Sequence, residues 1–343
     1  MASMLEFRTT GFNPYAVKYS PYYDSRLAVA SAANYGIVGN GRLFCLGLGP
    51  RGIQVEKTFD TNDAQYDLAW SELNENQLLV ACGDGSVKLF DLNVNDFPVM
   101  NFHEHKRETY SVAWSPVTKD TFASSSWDGT IKIWSPARKE SLRTLPVGNC
   151  TYSTSYCPRN PNIISAVSTD SHLRIFDLRT PVDAQYHLIT KIPVHESPSS
   201  HPPTPAEVLT HDWNKYRDTI IATGGVDRVI RTFDFRNAAA GPATVMIGHD
   251  YAVRRLAWSP RSASMLISAS YDMTVRLWSD DTTMDSMSPR PLLSERIGVM
   301  NRHTEFVTGV DWCLFGKGGW VATAGWDERV LLWDAHLLGN RGE

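Results

Sequence analysis

The sequence predicts an all-β fold: a seven-bladed β-propeller closed by its N-terminal strand. Three observations carry that expectation. A short motif recurs seven times, at Asn40–Leu46, Asp84–Phe90, Asp128–Trp134, Asp170–Phe176, Asp227–Phe233, Asp272–Trp278 and Asp327–Trp333, with 42–57 residues between successive starts. Each copy opens on Asp or Asn, continues in most copies through two turn-compatible residues, and ends in alternating apolar residues. An aromatic marker precedes it: Trp70, Trp114, Tyr156, Trp213 and Trp258 lie 14 residues before their Asp, Trp312 lies 15 before, and Tyr19 lies 21 before Asn40. Finally, Leu5–Thr10 alternates like an edge strand and can complete the last unit, removing the open edge.

One unit shows why the repeat is a sheet. Tyr110–Trp114 alternates inward and outward, and Ser115-Pro116 breaks it. A second strand is expected over Thr121–Ser126, a tight turn at Asp128-Gly129, a third strand over Ile131–Trp134 and an outer strand in Leu142–Leu145. One such sheet cannot bury both faces; seven packed radially can. The whole of 1–343 reads as a single domain, with repeats near 11–47, 60–91, 105–145, 149–192, 207–236, 249–279 and 303–334. The strand at 5–10 completes the last blade. Two long spacings are read as loop insertions at 194–206, Pro/Ser-rich and expected to be mobile, and 280–302, acidic and then Pro-containing.

Composition narrows the function classes. The 33 Lys and Arg against 37 Asp and Glu give a net charge of −4, with no global basic excess for nucleic acid. Apolar runs such as Leu78–Cys82 are too short for a membrane span, and Glu6 and Arg8 sit where a secretory signal needs apolar residues. The five cysteines (45, 82, 150, 157 and 313) show no CxxC spacing, which points to reduced thiols in a cytosolic setting. His103 and His105 share a strand face without a third ligand nearby, so no metal is expected. Gly83-Asp84-Gly85 is a turn, not a phosphate loop, and no nucleophile motif occurs, so neither an enzyme nor a cofactor is expected.

The repeats resemble the WD40 family over almost the whole chain. Such repeats often join a His to the turn Asp and a third-strand Trp. Here His105, His249 and His303 lie nine residues before their aromatic marker, with partners Asp128/Trp134, Asp272/Trp278 and Asp327/Trp333. A set repeated this way is a turn-locking network, not a catalytic one. The other four repeats lack the His at that spacing, so their turns are expected to be looser.

In such a propeller the Asp turns and the approaches to the first strands share one face. The residues just before the turns, among them Trp127, Tyr271 and Trp326, project there, as do Tyr15, Tyr66, Glu108, Tyr110, Tyr152, Glu207, Arg254, Phe306 and Thr308. Trp127 and Trp326 are not required by the repeat, so they read as anchors for a partner. Asp60, Asp63, Glu108 and Glu207 add acidity suited to a peptide carrying Arg and Leu. The expected peptide-binding set is Asp63, Tyr66, Glu108, Tyr110, Trp127, Tyr152, Tyr271 and Trp326.

More finely, several segments resemble the receptors for the type 2 peroxisomal targeting signal, a peroxin family. They include Phe12–Tyr22, Asn34-Tyr35-Gly36-Ile37-Val38-Gly39-Asn40-Gly41, Phe59–Asp63, Asp67–Glu72, Ser126-Trp127-Asp128, Gly224–Asp227, Tyr251–Arg255 and His303–Phe306. The resemblance implies a cytosolic receptor that shuttles to the peroxisome. Its cargo would be thiolase-like matrix enzymes bearing an N-terminal Arg-Leu-(five residues)-His/Gln-Leu helix, bound with a co-receptor peroxin and delivered to the peroxisomal docking complex. A second resemblance, of Phe176-Asp177-Leu178-Arg179 and Phe233-Asp234-Phe235-Arg236 to an adaptor-binding box, would imply a WD40 substrate receptor of a cullin-RING ubiquitin ligase.

Overall fold

The structure, a computed structural model, describes residues 4–94, 96–181, 187–197, 204–280, 292–293, 295–316 and 318–339. Seven antiparallel sheets stand around a central channel, and each contributes its first strand to the channel wall. These inner strands are Asn13–Tyr19, Gln65–Trp70, Thr109–Trp114, Thr151–Tyr156, Val208–Trp213, Val253–Trp258 and Val307–Trp312. Blade 3 is representative: Thr109–Trp114 is followed by Phe122–Ser126, Thr130–Trp134 and the outer Arg143–Pro146. The core lies between blades, where apolar faces of adjacent sheets meet, as Phe102 does with Phe122 and Trp134.

The ring closes through Met4–Arg8, which pairs antiparallel with Arg329–Asp334 as the outer strand of blade 7. Glu6 adds a salt bridge to Arg329, with its carboxylate 2.6 Å from the guanidinium. The apolar residues of this strand pack toward blade 1, Phe7 standing edge-on to Phe44 with centroids 5.8 Å apart. Neighbouring blades are stapled by inner-strand carboxylates: Asp212 accepts from the Trp258 amide at 2.8 Å, and Asp311 from the Tyr19 amide at 2.9 Å.

The turn networks form in part as expected. In blade 3, His105 bonds Asp128 at 3.0 Å and Ser124 at 2.7 Å, and the Trp134 indole donates to the same Ser124 hydroxyl at 2.8 Å. Blade 6 repeats this with His249, Asp272, Ser268 and Trp278. Blade 7 departs from it. His303 bonds Asp327 and Thr323, which stands where blades 3 and 6 have serine, but the Trp333 indole has no partner among the described residues.

The expectation of looser turns in the other blades is corrected at three of them. Blade 5 has its histidine after all: His195 bonds Asp227 at 2.7 Å and Thr223 at 2.9 Å, and Arg231 reaches both His195 and Asp227. Asp170 is gripped by Arg174 and Ser168, and Asp84 by Ser86 and Lys88. These clamps hold a left-handed residue after the Asp. Gly85 and Gly129 take that position in blades 2 and 3, but Ser171, Arg228, Met273 and Glu328 take it in blades 4 to 7.

Both insertions also need correction. The mobile loop expected over 194–206 is anchored: Val194, His195 and Ala206 are buried, and Glu196–Ser197 pairs with Thr204–Pro205, while 198–203 lies outside the described residues. In 280–302, Glu295–Met300 is the outer strand of blade 6, and Leu292–Leu293 adds a short parallel strand beside Thr244–Met246 of blade 5.

Candidate functional site

Every inner strand breaks register near its start, at the third residue in blade 1 and at the second in the other six. The skipped positions are Tyr15, Tyr66, Tyr110, Tyr152, Leu209, Arg254 and Thr308. A bulge re-aims a side chain. Repeated seven times at the channel end that carries the Asp turns, it sets a ring of seven side chains around the channel mouth. Four of them are tyrosines.

These tyrosines and the turn residues form one continuous aromatic surface. Tyr152 meets Trp127 and Tyr110, and Tyr110 stacks on Trp127 with centroids 5.1 Å apart. Tyr110 continues to Tyr66 at 4.9 Å, Tyr66 to Tyr15 at 5.1 Å, and Tyr15 to Trp326 at 5.5 Å. Trp326 contacts Phe306, which stacks on Tyr271 at 4.7 Å. The surface therefore draws on blades 1, 2, 3, 4, 6 and 7. Tyr15 and Tyr66 are buried as its floor, whereas Tyr110, Trp127, Tyr152, Tyr271 and Trp326 are half-buried at its surface. The indole N–H groups of Trp127 and Trp326 have no acceptor among the described residues, as is also true of the core residues Trp258 and Trp333.

Charge is divided across this face. Arg254, only 3% exposed, crosses from blade 6 to lie over the Tyr110 ring, 4.9 Å from its centroid. Burial works against its charge, but the Tyr110 and Tyr271 phenols and Asp67 hold it protonated. The carboxylates occupy the rim. Asp63 is exposed, and Glu207 is exposed and accepts from the Tyr152 hydroxyl at 3.1 Å. Glu108 is half-buried and has its own cation, Arg107, at 3.5 Å; Arg107 also lies near the Trp127 ring. Burial, and then Tyr110, Glu108 and Asp63, push the Tyr66 phenol up to about 12, so both carboxylates act on the same ring. Asp60 is engaged in a two-pronged pair with Arg42.

Sequence reasoning missed Tyr35 and Leu209. Tyr35 lies in the connection between the second and third strands of blade 1, where Ala33–Gly36 makes a 3₁₀ turn with Asn34 and Tyr35 left-handed. The Tyr35 amide donates to Asn13, the Tyr15 hydroxyl donates to the Tyr35 carbonyl at 2.7 Å, and the Tyr35 ring packs on Trp326. Gly36 has positive φ, and a Cβ there would lie 2.7 Å from the Tyr15 hydroxyl, so only glycine fits. The Asn34–Ile37 block is therefore a loop pinned onto the aromatic floor. Its signal in the sequence was length, since eight residues lie where blade 3 uses a tight Asp-Gly turn.

No group of three His, Cys, Asp or Glu residues is placed to hold a metal ion among the described residues. The buried His–Asp pairs belong to turn networks. In the adaptor-like box, Arg179 forks onto Asp177 of the same box.

Seven blades with Asp turns and His–Ser–Trp links define a WD40-repeat propeller. The family described as WD domain, G-beta repeat, matches residues 97–135, 241–279 and 294–334, the regions of blades 3, 6 and 7 that carry His105, His249 and His303. Similarity to individual proteins goes further. The chain is 38% identical to the peroxisomal targeting signal 2 receptor of Saccharomyces cerevisiae, over 96% of this chain and 99% of that one. It is 40% identical to peroxisome biogenesis protein 7 of Arabidopsis thaliana, over 94% and 95%. It is 38% identical to the peroxisomal targeting signal 2 receptor of Homo sapiens, over 88% and 87%. The chain belongs to the family of peroxisomal targeting signal 2 receptors.

Proposed function

We infer that this protein is a soluble import receptor that binds the N-terminal type 2 signal of matrix enzymes, together with a co-receptor, and delivers them to the docking machinery of the peroxisome. The observation that carries this reading is the continuous aromatic surface with carboxylates along one rim. A helical signal brings residues three, four and seven apart onto one side, so its Leu residues can lie on the aromatic rings while its Arg reaches the rim. Trp127, Tyr110, Tyr66, Tyr271 and Trp326 take the apolar side, Tyr152 borders it, and Glu108 with Asp63 takes the Arg. The Arg107–Glu108 pair is exposed enough to open toward an incoming guanidinium. The receptor works from the cytosol, with a minor pool at the peroxisome.

The test is titration of a labelled signal peptide, with co-receptor present, against wild type, Glu108→Lys and Trp127→Ala. Glu108→Lys replaces attraction with repulsion and weakens binding by more than about tenfold. Trp127→Ala costs about 2 kcal/mol if the ring is an anchor. Circular dichroism checks that both variants fold. Wild-type binding by both would move the site off this face.

A further inference from the structure

The opposite end of the propeller carries a second surface. There, the loops after the inner strands of blades 1 and 7 border a cleft of about 380 Å³. Leu5, Leu48, Cys313, Phe315 and Trp320 give it apolar walls, and Asp24 supplies a charged group in the lining. Phe315 is 40% exposed in that lining. Tyr23, also exposed, follows one residue before Asp24 and donates to Glu75 of blade 2 at 2.5 Å. Neither Asp24 nor Glu75 has a Lys or Arg within ion-pair distance among the described residues. Nearby cations among the described residues are otherwise engaged: Lys18 with Asp311, Arg26 with Glu56, and Arg261 with the Leu314 and Gly316 carbonyls.

We propose that this cleft docks a segment of a partner protein in which a Lys or Arg neighbours a large apolar residue, on the face opposite the aromatic one. An apolar side chain fills the cleft between Phe315, Trp320 and Leu48, and the adjacent cation meets Asp24, with Glu75 reinforcing the field. Charge complementarity selects this occupant: a neutral apolar segment leaves Asp24 desolvated beside it, and an acidic one meets like charge. The two faces are separated by the full length of the inner strands. A partner docked here leaves the aromatic face open, so both can be held at once. The proposal does not depend on what the aromatic face binds.

A random dodecapeptide display library panned on the full-length chain, with the Asp24→Lys variant as counter-selection, tests this. Enriched peptides are expected to place Lys or Arg beside Leu, Phe or Trp. A synthetic winner should bind wild type at least about tenfold more tightly than Asp24→Lys or Phe315→Ser, and equally well to Trp127→Ala. Its Lys→Glu counterpart should regain affinity for Asp24→Lys. Both altered positions are exposed, and unchanged thermal midpoints establish that the variants fold. Enrichment of nothing, winners without a cation, winners indifferent to both variants, or winners lost on Trp127→Ala would each overturn it.

Discussion

At the scale of residues, the buried histidines set how this molecule responds to acid. Burial pulls His211 down to about 4, and it also lowers His195 and His249, against the opposing pull of their aspartates. The unfolded chain, with ordinary histidines near 6.5, therefore binds more protons than the folded one across the interval below that value. Stability is full above about pH 6.5 and falls as pH drops toward 4. The clamp aspartates act lower. Burial alone would raise Asp128, Asp170 and Asp272, but hydrogen bonds from His105, Arg174 and His249 hold them well below the usual carboxylate range. Their contribution is present above about pH 4 and is lost beneath it. Urea midpoints measured against pH should thus decline in two limbs. His211→Asn should flatten the upper limb and leave the lower one; an unchanged upper limb would remove His211 from this role. The aromatic floor belongs to the same scale, and much of it was legible, because an aromatic before a turn Asp has no duty in the repeat. Leu209 and Tyr35 were not. A bulge changes the direction of a side chain without changing the alternation around it, and a loop residue pinned by Asn13 and Tyr15 shows no period at all.

At the scale of elements, the clamp of blade 5 shows what an insertion hides. The added residues move His195 to 18 positions before Trp213, so a search at the spacing of nine passes it by. Asp227 is closed off between His195 and Arg231, with its side chain fully buried. Asp227→Ala leaves that guanidinium and imidazole without their carboxylate and should cost about 3 kcal/mol in chemical denaturation. Asp60→Ala, which breaks an exposed pair with Arg42, should cost no more than about 1 kcal/mol. Equal losses would mean that the blade 5 turn is held by its backbone alone. Outer strands were the hardest elements to read. Their two faces are unequally covered, as in Leu188–Pro193, where Ile192 is the one fully buried residue, so alternation is faint. The strand Glu295–Met300 also follows an acidic, Pro-containing stretch that suggests a loop. Inner and middle strands are covered on both sides by neighbouring blades, and their apolar runs were plain.

At the scale of the whole molecule, the ring depends on one short strand. Removing residues 1–10 strips Arg329–Asp334 of its outer partner and uncovers the blade 1 face on which Phe7 rests. Such a variant should elute as aggregate in size-exclusion chromatography, since an exposed strand edge is a template for pairing. A monomeric, fully folded deletion would show that the ring closes without it.

That closure also sets a clock. Met4 pairs with Trp333, and Arg8 with Arg329, so residues made early must wait for partners far along the chain. At about 5–20 residues per second, the stretch between Arg8 and Arg329 alone takes roughly 16–64 s to make. For most of that interval several blades can stack while the circle stays open. The N-terminal strand then has no partner to join, and the first blade keeps an uncovered flank. Loops closed late are costly in chain entropy and slow to form, so the nascent chain is most exposed to mispairing just before residues 329–334 emerge. A factor that shields an incomplete ring would have its longest opportunity on this protein during synthesis, and its task would end when residues 329–334 become free to pair.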